Sequence, residues 1–324
     1  MAAVTYLEAI RQGIWEEMER DSSVFVLGED VGIYGGAFKL TEGMLERFGE
    51  DRVVDTPISE SAIVGAAIGA ALMGMRPIAE MQFADFISCA FDQITNFAAK
   101  CRYRWGAGVP MVIRGPSGGG IHGGPYHSQN PEMHYVHTPG LKVVAPSTVY
   151  DAKGLIKAAI RDEDPVVYFE HKFLYRRLKE ELPEGDWTVP IGKADIKRTG
   201  SDISVITYGA MVHLALEAAA TLANDGIEVE VVDLRTLVPL DKERILDSVK
   251  KTSKVILLHE DVRTGGIAGE IAAIIAEEAF EYLDGPIMRI TAPDTPVPYS
   301  PPLEEFFLPK TSDIIRVARQ LAAY

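Results

Sequence analysis

Glu60 stands in the segment "DTPISESAIVGAAIGAAL" (55–72), a single carboxylate ahead of a run of alanine, glycine, isoleucine and valine. A carboxylate there has two uses. It complements the positive end of a helix, worth about 0.3–1 kcal/mol, or it is kept away from water for chemistry, because burying a charge is tolerated mainly where a partner or a function compensates. The second constellation is "GPSGGGIHGGPYHSQNP" (115–131), in which His122 and His127 sit among glycines. Imidazole exchanges protons near neutral pH, and glycine neighbours leave little bulk between such rings and a substrate. The stretch also contains G-x-G-x-x-G at Gly118, Gly120 and Gly123, but Pro125 follows where a dinucleotide fingerprint must open a helix, and "LKVVAPS" offers no acidic ribose ligand. A loop that lets a ligand approach closely fits better. Zinc is disfavoured because no HExxH spacing and no Cys or Glu ligand set accompanies the histidines. The sequence has no G-x-x-x-x-G-K-[ST] phosphate loop.

The elements that must position these groups follow from periodicity. Residues 62–72 have no polar face, which predicts a helix buried all round or packed against another backbone. Short β-rich runs at 23–28, 77–83, 110–115, 141–147 and 165–170 alternate with helical patterns at 61–74, 87–101 and 148–161, so an α/β fold with a mainly parallel sheet flanked by helices is expected. The charged, turn-rich stretch "RRLKEELPEGDWTVPIGKADIKRTG" marks a boundary: a first domain over 1–180, a linker over 181–200 and a second domain over 201–324. The second domain repeats the pattern, with strands near 202–207, 228–234, 254–259 and 287–292 and helices near 212–224, 242–250, 266–281 and 312–323. "FADFISCAFDQI" (83–94) carries Phe83, Phe86 and Phe91, with Gln82 just before them.

Composition narrows the function classes. The 324 residues have a net charge of −15, which argues against a nucleic-acid surface and suits basic protein partners. Two cysteines, Cys89 and Cys101, make neither a CxxC motif nor a disulfide framework, so a reducing cytoplasm is the expected compartment. Thr5 and Glu8 read as a capping box opening an amphipathic helix, not as a secretory leader. The run at 62–75 is too short and too glycine-rich for a membrane span.

Taken in order, "LGEDVG", "DTPISES", "IAEMQFADF", "RYR", "GGGIHGGPYHSQNP", "HTPGLKVVAPST", "DAKGLIKAAIRDEDPVVYFEH" and "APDTPVPY" resemble the β subunits of the thiamine-diphosphate-dependent 2-oxo acid dehydrogenases across both domains. The resemblance implies a transketolase-like pyrimidine-binding domain followed by a transketolase C-terminal-like domain. By matching residue to residue, Glu60 is the glutamate that hydrogen-bonds the cofactor's aminopyrimidine and favours its imino tautomer, which deprotonates the thiazolium C2. Gln82 and Phe86 line the pyrimidine pocket. His127 serves acid/base steps in acyl transfer to lipoyl, with His122 nearby, and Glu29 belongs to an acidic channel between paired sites. Asp162 and Asp164 resemble a structural potassium site. Phe86 replaces the tyrosine usual in branched-chain members, and Cys89 sits where some pyruvate enzymes carry a carboxylate. The Gly-Asp-Gly motif that holds Mg²⁺ and diphosphate is absent, so the resemblance implies half a site, completed by an α subunit in an α2β2 heterotetramer that docks on a lipoyl acyltransferase core. "GGPYHSQNPE" and "LYR" (174–176) are nearest to enzymes acting on branched-chain 2-oxo acids, with pyruvate and acetoin enzymes as alternatives and a non-catalytic docking subunit as an alternative of another class.

Overall fold

The computed structural model describes residues 3–324, so the start of the expected first domain, Met1 and Ala2, lies outside it. The chain divides into two units, one of residues 1–118 and 134–191, the other of residues 119–133 and 192–324. The change at 191/192 falls inside the expected 181–200 linker. The assignment of the glycine-rich segment 119–133 to the second unit was not foreseen.

In the first unit the order is β1 (Val4–Thr5), α1 (Tyr6–Arg20), β2 (Val24–Gly28), α2 (Met44–Phe48), β3 (Val53–Asp55), α3 (Glu60–Leu72), β4 (Arg76–Glu80), α4 (Cys101–Trp105) and β5 (Val112–Ser117). After α5 (Glu132–Val136), which re-enters this unit, come β6 (Lys142–Val144), α6 (Val149–Arg161), β7 (Val166–His171) and β8 (Lys179–Glu180). Strands β6, β7, β5, β4, β2 and β3 lie side by side in that order, and all their pairings are parallel. Parallel strands are covered on both faces, which accounts for their continuous apolar runs. The Thr5–Glu8 capping box opens α1 as expected: Glu8 N donates to Thr5 Oγ1 and Thr5 N to Glu8 Oε2.

Two expectations need correction. Helix α3 is not buried all round. It buries Ile63, Val64, Ala67, Ile68 and Ala71 and exposes Ser61, Ala62, Ala66, Gly69 and Leu72. Small apolar residues on every face carry no contrast to separate a core-facing side from an open one. The stretch 87–101 is not one helix either. It is a 3₁₀ segment (Ala84–Ala90), a π turn (Gln93–Phe97) and a further 3₁₀ turn (Ala98–Lys100) leading into α4.

The second unit contains β9 (Asp195–Arg198), β10 (Ile203–Thr207), α7 (Met211–Ala223), β11 (Val229–Asp233), β12 (Thr236–Val238), α8 (Lys242–Thr252), β13 (Val255–Val262), α9 (Ile267–Glu278), β14 (Met288–Ala292), α10 (Pro301–Phe307) and α11 (Thr311–Ala322). Its sheet runs β14-β13-β10-β11-β9, with β9 antiparallel and the other pairings parallel. The end of the expected linker thus forms an edge strand. No helix among the described residues is long and apolar enough to cross a membrane.

Candidate active site

In open parallel sheets, ligands bind beyond the carboxyl ends of the strands, and four of the expected site residues come from that region of the first unit. Glu29 directly follows β2, Gln82 lies two residues beyond β4, Glu60 is the first residue of α3, and Phe86 lies in the 3₁₀ segment after β4. Thr56 N donates to Gly28 O at 2.9 Å, drawing the loop that leads to Glu60 onto the end of β2. Glu60 is half-buried and no side chain caps its helix. Glu29 is buried, and desolvation, with Glu60 and Asp30 adding like charge, holds its carboxyl above the usual range. Gln82 Nε2 donates to Asp30 Oδ2 at 3.0 Å, so the amide is held by one of these acids. The Phe86 ring meets Phe83 edge-on at 5.7 Å, and Phe83 meets Phe38 in the same way at 5.3 Å. Asp55, which the sequence reading missed, accepts from Gly32 N at 2.6 Å and from Ile33 N at 3.2 Å and shapes the loop that follows Glu29.

Beneath this edge lies a buried ionic cluster, also missed. Arg114 on β5 contacts Glu80 on β4 and makes a two-point contact with Glu170 on β7 at 2.5 and 2.6 Å, while Tyr175 Oη donates to Glu170 at 2.6 Å. Burial holds the Glu80 carboxyl above its ordinary range even though Arg114 opposes this. The signal was available: each of these charges sits inside or at the end of an apolar strand run ("PIAE", "PMVIRG", "PVVYFE").

Asp162 and Asp164 engage protein cations. Lys142 Nζ reaches both oxygens of Asp162 at 2.7 and 2.6 Å, Arg102 pairs with Asp164, and Arg76 Nη1 donates to the carbonyls of Ile160 (3.0 Å) and Asp162 (2.9 Å). Among the described residues no group of three or more His, Cys, Asp or Glu is arranged to hold a metal ion.

The histidines belong to the second unit. No helix follows the glycines; a single 3₁₀ turn (Gly124–Tyr126) does. Gly124 has φ +69°, and a Cβ there would strike the Tyr299 ring, so the chain's own packing requires glycine at this position. Two buried carboxylates tie this loop down. Glu260 on β13 accepts from Gly119 N at 2.6 Å and from Asn130 Nδ2 at 3.1 Å, and Glu304 on α10 accepts from Gly120 N at 3.0 Å and pairs with His122 Nδ1 at 2.6 Å. His127 is half-buried, and its N–H donates to Gly124 O. Beside Glu260, burial pushes the Asp261 carboxyl up to about 6 and the His259 imidazole down to about 4. The structure therefore brings Glu29, Glu60 and Gln82 together in one unit and His122 with His127 in one loop of the other, and it sets Asp162 and Asp164 in a separate salt-bridge cluster.

Two family models match the chain: the transketolase pyrimidine-binding domain over residues 2–177 and the transketolase C-terminal domain over 192–314. The 2-oxoisovalerate dehydrogenase subunit beta of Bacillus subtilis is 56% identical over 329 residues, covering 100% of both chains. The pyruvate dehydrogenase E1 component subunit beta of the same organism is 47% identical over 326 residues, again covering 100% of both. Among solved structures, a split-gene transketolase described as an inactive β4 tetramer aligns with a TM-score of 0.81 at 21% identity, covering 99% of each chain.

Proposed function

Because the chain belongs to the family of β subunits of thiamine-diphosphate-dependent 2-oxo acid dehydrogenases, we propose that it supplies the aminopyrimidine-binding half of the site for oxidative decarboxylation of a branched-chain 2-oxo acid, with acyl transfer to a lipoyl group. The observation that carries this is Glu60 at the start of α3, near enough to the buried Glu29 to add like charge to it, with the Gln82 amide bonded to the neighbouring Asp30. Those residues fit the group the family requires: a carboxylate acceptor for a pyrimidine ring nitrogen, a polar amide and an aromatic ring, Phe86, to pack on it.

When bound, the cofactor supplies the electron sink that decarboxylation needs. Glu60 would accept a hydrogen bond from the cofactor's pyrimidine. Burial, with Glu60 and Asp30 adding like charge, favours the protonated form of Glu29 beside that site. His127, on a loop whose glycines leave it accessible, would exchange the proton that accompanies acyl transfer to lipoyl sulfur.

The partner reading is that an α subunit holds Mg²⁺ and the cofactor's diphosphate in an α2β2 assembly docked on an acyltransferase core. It is supported by large apolar side chains left open on the first unit, Ile58 at 82%, Met73 at 84% and Tyr103 at 96% exposure, because such surface is characteristic of interaction sites. The branched-chain substrate is favoured by the higher identity to the 2-oxoisovalerate relative than to the pyruvate one. Reconstitution with the α subunit and turnover on 2-oxoisovalerate, pyruvate and 2-oxobutyrate tests it. We expect the highest kcat/KM on 2-oxoisovalerate, and a preference for pyruvate overturns the substrate assignment.

A further inference from the structure

Glu304 is 1% exposed, yet its carboxylate meets the glycine-rich loop at three points. It accepts from Gly120 N at 3.0 Å and from His122 N at 3.1 Å, and its Oε2 lies 2.6 Å from His122 Nδ1. The His122 backbone is left-handed, φ +59°, a conformation unfavourable for a residue with a Cβ and held only where the surroundings over-determine it. Two backbone bonds would suffice to hold the loop's shape. The third commits a buried carboxylate to the ring of a side chain that is itself 53% exposed. A carboxylate that accepts Nδ1–H fixes the ring's direction and, in the neutral imidazole, places the lone pair on Nε2.

We infer that Glu304 is a positioning residue that accepts the Nδ1–H of His122 and leaves Nε2 as the atom open to proton exchange, so that the loop presents a second proton-exchanging histidine five residues before His127. This rests on the reading that the loop serves acyl transfer. The chemistry required is limited: Nε2 takes up or returns one proton while Nδ1–H stays bonded to Glu304.

The discriminating variant is Glu304→Gln. One amide oxygen still accepts from the loop N–H groups, but the NH₂ must donate to Nδ1, which forces His122 into the Nε2–H tautomer. In the full chain labelled with ¹⁵N-histidine, the two-bond ring pattern of His122 should switch tautomer with no change in melting temperature. In the reconstituted complex, lipoyl-dependent turnover should fall by about 10²-fold, the low end for positioned acid/base groups. In a His122→Gln background, Glu304→Gln should cause no further loss, because a residue acting through His122 has nothing left to position. An unchanged ¹⁵N pattern, additive losses in the double variant, or full turnover in Glu304→Gln while His127→Ala is impaired would each overturn the inference. If His127→Ala, His122→Gln and Glu304→Gln all leave turnover intact, the active-site reading of the loop falls and this inference with it.

Discussion

At the scale of residues, Glu60→Gln isolates charge from shape. The amide fills the same space at the start of α3, so folding and assembly with the α subunit should persist, while support for the cofactor's imino form is lost and turnover drops by about 10²- to 10⁴-fold. Hydrogen–deuterium exchange at the cofactor's C2 in the assembled variant checks this, and a near-parental exchange rate excludes Glu60 from activation. An assembled but inactive variant also separates catalysis from scaffolding, because a docking subunit would lose no turnover. His127→Ala should reduce lipoyl-dependent turnover more than reduction of an artificial electron acceptor, and equal losses in the two assays move its role to an earlier step. Glu60, His122 and His127 stood out in the sequence because each contrasts with small neighbours. Glu260 and Glu304 did not, since the loop atoms they hold lie 141 and 182 residues away in the chain and nothing local marks an acid that is buried by distant backbone.

At the scale of elements, strand β13 carries a buried histidine and a half-buried aspartate whose titrations oppose each other. His259 is lowered by burial from 6.5 to about 4, so between those values the unfolded chain binds the extra proton and stability rises with pH. Asp261 is raised by burial from 3.8 to about 6, so over nearly the same window the folded chain binds the extra proton and stability falls with pH. The two contributions largely cancel in the native protein. Asp261→Asn should remove one side of the balance, and its urea midpoint, relative to the parent's, should climb between pH 4.5 and 6; parallel midpoint curves for parent and variant exclude the pairing. Most strands and helices were legible because alternating or continuous apolar runs end at Gly, Pro or charged residues, as β2, β6 and β7 do. Helix α3 and the stretch 87–101 were misjudged for complementary reasons. The small residues of α3 leave both faces apolar, while the aromatic cluster of Phe83 and Phe86 holds its segment in 3₁₀ turns that helical periodicity cannot report.

At the scale of the whole chain, charge and open surface bear on what the subunit can do alone. Thiamine diphosphate carries two phosphates, whose charge needs a divalent ion and oxygen ligands to offset it, and a chain of net charge −15 without a Gly-Asp-Gly motif repels rather than recruits them. The contacts expected from Glu60, Gln82 and Phe86 concern only the pyrimidine, too little surface to overcome the entropy lost on association. The isolated chain with Mg²⁺ should therefore bind the cofactor weakly or not at all, and addition of the α subunit should bring tight binding and activity together while covering the apolar side chains around Ile58, Met73 and Tyr103. Titration calorimetry on the monodisperse chain measures this. Micromolar binding without any partner would refute the half-site reading and point to a self-sufficient thiamine enzyme.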